Sequence, residues 1–181
     1  TNPCGTGIGE TLEKAYAKAY EADPVSAFGG IIGLNRPVDK ATAEAISTLF
    51  AEAVIAPSYS EEALGILTQK KNVRLLEADF GPVAGAVDIK KVSGGLLIQD
   101  ADIHDAARSE MQVVSKRERS EAEWRQLEFA WKIVKHVKSN AIVVAADDRT
   151  LGVGAGQMNR VGAANIALCQ AGDKANGAVL A

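Results

Sequence analysis

Apolar and polar positions along this chain fall into short blocks whose period switches between helical and strand-like. Residues 1–9 carry Pro3 and the glycines Gly5, Gly7 and Gly9, which predicts a loop. A helix is expected over residues 11–22, with Thr11 as cap and Leu12, Tyr16 and Ala19 at helical spacing. Asp23-Pro24 ends it, because a residue before proline avoids the helical region. Residues 31–34 and 53–56 are short apolar runs that read as buried strands, and 73–76 reads as a further strand. Between them, Asp39 caps a helix expected over 40–52, with Ile46, Leu49 and Phe50 inward, and Ser60-Glu61-Glu62 opens a short one. Helix and strand alternate at these lengths in a parallel sheet with helical crossovers. Residues 78–95 are Gly-rich and looser, 96–98 are strand-like, and 100–111 are polar.

The pattern changes after a charged run at 115–119. Ser120 and Glu123 form a capping box. The helix they open is expected to reach Lys138, with Trp124, Leu127, Trp131 and Val134 as its apolar stripe, joined by Ala130, Ile133 and Val137. Residues 141–146 form a strand, 147–149 a turn, and 150–153 its hairpin partner. Residues 154–156 lead into a helix expected over 157–171, and 177–181 start a further strand. The fold class is α/β, in two units split near 115–120: residues 1–118 and residues 119–181. No repeat of 20–50 residues stands out.

Composition narrows the function. With 47% hydrophobic and 24% charged residues, the 181-residue chain has the make-up of a globular domain rather than a disordered one. Lys+Arg 20 against Asp+Glu 23 gives a net charge of −3, which argues against nucleic acid as a partner. No apolar run approaches the ~18 residues of a membrane helix, so no membrane partner is expected. The start at Thr1, without a basic and then apolar leader, predicts no signal peptide and a chain that begins inside something longer. Cys4, Cys169, His104 and His136 make neither a disulfide framework nor a good zinc set, so the reducing cytoplasm is the expected location and no metal is expected.

Candidate chemistry gathers at Gly152-x-Gly154-x-Gly156, between a strand and a helix. Such a turn can present backbone N–H groups to an anion, or be a tight turn with no ligand. Its spacing is not the dinucleotide G-x-G-x-x-G. Gln157, Asn159 and Arg160 crowd polar groups onto the following helix, and Arg160 offers a planar fork of donors. Asn140, in Lys138-Ser139-Asn140, reads either as a left-handed helix cap or as a partner of Arg160 in one crevice. Lys135-His136 lies inside the long helix, where neighbours diverge. Asp100, Asp102, His104 and Asp105 lack the features of a calcium loop and read as solvated. Pro3-Cys4 is half of a zinc-deaminase signature, but Gly7 stands where its second cysteine belongs.

Five ordered motifs occur together: Asn2-Pro-Cys-Gly5, Asp23-Pro-Val-Ser-Ala-Phe-Gly-Gly-Ile31, Val54-Ile-Ala-Pro57, Lys138-Ser-Asn-Ala-Ile142 and Gly152-Val-Gly-Ala-Gly-Gln-Met-Asn-Arg-Val161. Their order and extent resemble the transformylase part of the AICAR formyltransferase / IMP cyclohydrolase family of bifunctional purine biosynthesis proteins. The resemblance implies a cytidine deaminase-like three-layer sandwich in two subdomains, incomplete in this chain and without zinc. It implies transfer of a formyl group from 10-formyltetrahydrofolate, the co-substrate, to AICAR in IMP biosynthesis, by a cytosolic homodimer. It places Asn140 and Arg160 on AICAR and Val161 on the folate. Gly30 stands where some members carry an Asp against the substrate, which leaves a backbone contact. The resemblance puts no catalytic residue in this chain, since the family's Lys-His pair precedes Asn2-Pro3, and Lys135-His136 matches a different segment. Activity is therefore expected of the intact parent rather than of this piece. The alternative is a free-standing nucleotide-binding module without catalysis.

Overall fold

A computed structural model describes residues 2–81 and 85–181. Thr1, and positions 82–84 within the expected loose stretch 78–95, lie outside the described residues. The described chain is α/β, as expected, with five α-helices and eight strands among the described residues.

The first half builds a parallel sheet. Helix α1 (Leu12–Ala22) starts where Thr11 Oγ1 accepts the Lys14 N–H. Strand β1 (Gly30–Gly33) follows, then α2 (Lys40–Ser47), opened by Asp39 Oδ1 accepting from Thr42 N at 2.8 Å. Strand β2 (Ala51–Ala56), α3 (Glu61–Leu67, capped by Ser60) and β3 (Arg74–Glu77) complete it in the order β1-β2-β3. Both strand pairings are parallel. Val38, Ile46, Val54, Leu67 and Ala63 form the core between sheet and helices. Tyr59 lies against β2 and β3, its hydroxyl within hydrogen-bond reach of the Val54 and Leu76 carbonyls.

Helix α2 stops well short of the expected residue 52. The Thr48 hydroxyl donates to the Ala45 carbonyl, and Lys70 Nζ takes the Leu49 carbonyl, so the last acceptors are satisfied without further helix. Phe50, expected inward, is therefore 39% exposed and packs its ring on Phe28.

The loose stretch contains a strand that its composition hides. Strand β4 (Val87–Val92) pairs antiparallel with β5 (Gly95–Asp100) across a turn at Ser93-Gly94, where Gly94 has φ 81°. Every residue of both strands is exposed, so no buried face imposes an alternation visible from sequence.

The second half is three-layered. Helix α4 (Glu121–Val134) carries the expected capping box: Ser120 Oγ accepts from Glu123 N, and Glu123 Oε2 accepts from Ser120 N at 2.9 Å. The helix ends at Val134, not Lys138, and its buried residues are Phe129 and Ala130. Trp131, expected in the stripe, is 52% exposed. Strands β6 (Ile142–Ala146) and β7 (Arg149–Gly154) form the expected hairpin, closed by Asp147 and Asp148 at positive φ. Strand β8 (Val179–Leu180) adds on the other side of β6. Consecutive β6 residues point oppositely: Ala145 packs on Phe129 of α4, and Val144 on Ala167 of helix α5 (Arg160–Ala171). The two helices thus cover opposite faces of this sheet.

The halves meet at β7. Residues 6–8, read as loop, lie along its free edge: Thr150 N donates to the Thr6 carbonyl at 3.0 Å and Ile8 N to the Asp148 carbonyl at 2.8 Å. Their glycines serve packing. A Cβ on Gly5 would overlap the Ala19 carbonyl of α1, and one on Gly7 would lie 2.6 Å from that of Ala15.

Candidate functional site

The same packing explains two of the three glycines in the second Gly-rich turn. Gly152 and Gly154 lie buried within β7, and a Cβ on either would overlap the Ala167 or Ala163 carbonyl of α5. They let helix and strand touch backbone to backbone. Only Gly156, at φ 65°, belongs to the turn itself. The turn leads to Asn159, whose Oδ1 accepts from Gly162 N at 2.7 Å and caps α5. The helix consequently begins at Arg160, later than residue 157.

Asn140 is clasped to this turn. Its N–H donates to the Gln157 carbonyl at 3.3 Å, and its carbonyl accepts from Gln157 N at 3.1 Å. Its side-chain Nδ2 donates to the carbonyls of Gln157 (3.0 Å) and Met158 (3.4 Å). Gly156 N donates to the Lys138 carbonyl at 2.6 Å. The left-handed cap reading of Asn140 does not hold. Helix α4 ends at Val134 with Lys135 as its cap, and Asn140 does not have positive φ. With Nδ2 turned to these two carbonyls, Oδ1 is the carboxamide atom available to accept from an N–H or O–H donor.

Asn140 and Arg160 therefore share one edge of the sheet, at the exit of β7 and the entry of β6. Arg160 is exposed, and its guanidinium forms no hydrogen bond or ion pair among the described residues. It stands on the first turn of α5, where unpaired N–H groups and the helix dipole add positive character. Beside it, Val161 is 69% and Met158 95% exposed, apolar surface next to a cation. The arrangement suits a planar ligand with an anionic or carboxamide group.

Gly30 opens β1 in the other sheet. Its N–H donates to Ala27 O at 3.0 Å and its strand partner is Ala51, so its own bonds do not reach Asn140 or Arg160. A Cβ there would lie 2.9 Å from the Ala27 carbonyl, which keeps the position backbone-only. The loop before it is tied to the second half by Gln170. Gln170 Nε2 donates to Asp23 Oδ2 at 3.1 Å, and its Oε1 accepts from Val153 N at 2.8 Å.

Other candidates have structural partners. Lys135 Nζ donates to the His104 carbonyl at 2.7 Å and pairs with Asp102, while Lys132 pairs with Asp105. The acidic stretch is thereby clipped to α4, and no group of three metal-ligating side chains occurs among the described residues. Cys4 is partly buried, and burial, then the nearby Asp23 charge, pushes its thiol pKa up, away from a reactive thiolate. Surface clefts beside Phe50 and Arg74, and beside Arg119 and Leu127, lie apart from Asn140.

One contact had no signal in local pattern: Asn2 Oδ1 accepts from Lys138 N at 2.8 Å.

The sequence matches known proteins over nearly its whole length. It is 58% identical over 183 residues to the bifunctional purine biosynthesis protein PurH of Bacillus subtilis (strain 168), covering 99% of this chain and 35% of the relative. Identities to the PurH proteins of Bacillus cereus (strain B4264) and Bacillus thuringiensis (strain Al Hakam) are 57% and 56% over 181 residues, with the same coverage. The chain thus spans about a third of the length of these curated relatives. The family described as AICARFT/IMPCHase bienzyme matches residues 1–170. With that match over most of its length, the chain belongs to the AICARFT/IMPCHase bienzyme family.

Proposed function

We propose that this chain carries part of the AICAR site of a transformylase that moves a formyl group from 10-formyltetrahydrofolate to AICAR. The supporting observation is the clasp of Asn140 onto Gln157 and Met158, which fixes its carboxamide to the turn that leads to Arg160 at the start of α5. Arg160 binds an anionic or carbonyl group of the nucleotide, Asn140 Oδ1 accepts one of its N–H groups, and Val161 offers an apolar contact to the folate. Gly30 contributes main chain only. In the reaction the AICAR amine attacks the formyl carbon and the new C–N bond forms, the bond from the formyl carbon to the folate nitrogen breaks, and the proton lost by the amine is matched by one gained at the released folate nitrogen. By family resemblance, the His of a Lys-His pair preceding Asn2-Pro3 assists that proton transfer, and the Lys stabilises the developing oxyanion. The chain's residues bind and orient.

The same reading makes residues 1–118 and 119–181 parts of two cytidine deaminase-like subdomains. The helix-sheet-helix layering around β6 supports it. It also takes the parent protein to be a cytoplasmic homodimer. No helix among the described residues is long and apolar enough to cross a membrane.

The test is Asn140→Ala in the full-length protein. Formyl transfer should fall by about a hundredfold, the scale on which a misplaced substrate loses rate, while IMP cyclohydrolase activity stays unchanged. Unchanged formyl transfer overturns the assignment, and equal loss of both activities marks misfolding instead.

A further inference from the structure

We infer that Asn2 is a positioning residue for formyl transfer, orienting the Asn140 carboxamide through the main chain of Lys138. This rests on the reading of Asn140 as a substrate contact. The peptide groups of Lys138 are held from two sides. Its N–H donates to Asn2 Oδ1 at 2.8 Å, and its carbonyl accepts from Gly156 N at 2.6 Å. Two residues on, Asn140 is fixed to Gln157 and Met158. Residues 138–140 are therefore a bridge clamped between the N-terminal segment and the Gly156 turn, and Asn2 supplies one of the two jaws.

Strand geometry delivers Asn2 to this edge. Residues 6–8 run antiparallel to β7, with Gly7 opposite Arg149. The chain before them must then run toward the far end of β7, where Gly154 opposite Ile142 leads into the turn. α1, lying on Gly5 and Gly7, keeps that segment from sliding. Asn2 is exposed, as is its bond to Lys138, so the contact adds little to global stability. Its consequence is local. Without it the Lys138 N–H turns to water, and the approach to Asn140 is held from one side only.

The experiment measures steady-state formyl transfer in the full-length protein for Asn2→Ala, Asn2→Asp and Asn140→Ala, together with melting curves. Asn2→Ala should lower kcat/KM for AICAR by about tenfold, with the melting temperature and cyclohydrolase activity unchanged. Asn2→Asp keeps the accepting oxygen and should restore kcat/KM to within about twofold of wild type. Wild-type kcat/KM in Asn2→Ala overturns the inference, as does an Asp variant no better than Ala, or loss that tracks the melting temperature. If Asn140→Ala itself leaves formyl transfer intact, the site reading fails and this inference with it. If Asn140→Ala is impaired while Asn2→Ala is not, only the inference fails.

Discussion

Thr6 and Thr150 bond to each other reciprocally across the junction of the two halves. Thr150 N donates to the Thr6 carbonyl at 3.0 Å, and Thr150 Oγ1 accepts from Thr6 N at 2.9 Å. Thr150 is 1% exposed, so its side chain has no water to fall back on. Thr150→Val keeps the shape and removes the acceptor. It should destabilise the protein by about 1–3 kcal/mol, the cost of a buried donor left unpaired. Urea denaturation measures the loss, and amide exchange should show Thr6 losing protection first. Unchanged stability would mean that residues 6–8 are not held on β7.

Glycine substitutions should split by what faces the missing Cβ. In Gly154→Ala the new methyl would overlap the Ala163 carbonyl, and α5 would have to lift from β7. Overpacking of this kind costs typically ~1–3 kcal/mol. In Gly65→Ala, on α3, nothing lies within 4 Å, and the helix should gain roughly 0.5–1 kcal/mol. Thermal melts of both variants decide it, and a destabilised Gly65→Ala would contradict the open space seen there.

The start of α4 should respond to acid. The Arg117 side chain, and then the Ser120 backbone and hydroxyl, lower the Glu123 pKa from its ordinary 4.5 to about 2. A depressed folded-state pKa means that the stabilisation is complete above about pH 4.5, weakens below it, and is gone once pH has fallen through about 2. NMR titration should find the Glu123 midpoint near 2, and Arg117→Ala should raise it, because the largest cause is removed. Ser120→Ala should cost about 1 kcal/mol, the usual worth of an N-cap side chain, in a denaturant titration.

Gln170 links the Asp23 loop, which leads to Gly30, with β7. Gln170→Leu keeps the side chain's bulk and removes both bonds. Hydrogen exchange should quicken at Val153, whose N–H loses its acceptor, and at Ser26, whose N–H is held by the other Asp23 oxygen. Unaltered exchange at Ser26 would show that the loop is fixed without Gln170.

The starts of α1 to α4 were legible in the sequence because a cap is a local event. Thr11, Asp39, Ser60 and Ser120 each bond an N–H three residues ahead, so the residues alone announce them. The parallel alternation of the first half and the hairpin of the second follow from short-range pattern in the same way. Helix ends were less legible, since α2 stops where Lys70 and Thr48 satisfy its carbonyls. The rotation of α4 was also hidden: which of Phe129 and Trp131 is buried depends on the sheet beneath.

For the site, residue types and spacing brought out Asn140, Arg160 and the Gly-rich turn, and motif order pointed to the family that the comparisons bear out. Tertiary structure alone decided that residues 6–8 line β7, that Gly152 and Gly154 serve backbone packing, and that Asn2 meets Lys138. Those contacts join segments more than a hundred residues apart or depend on how a helix lies on a strand. No local period encodes them, because they form only when non-local surfaces close over one another.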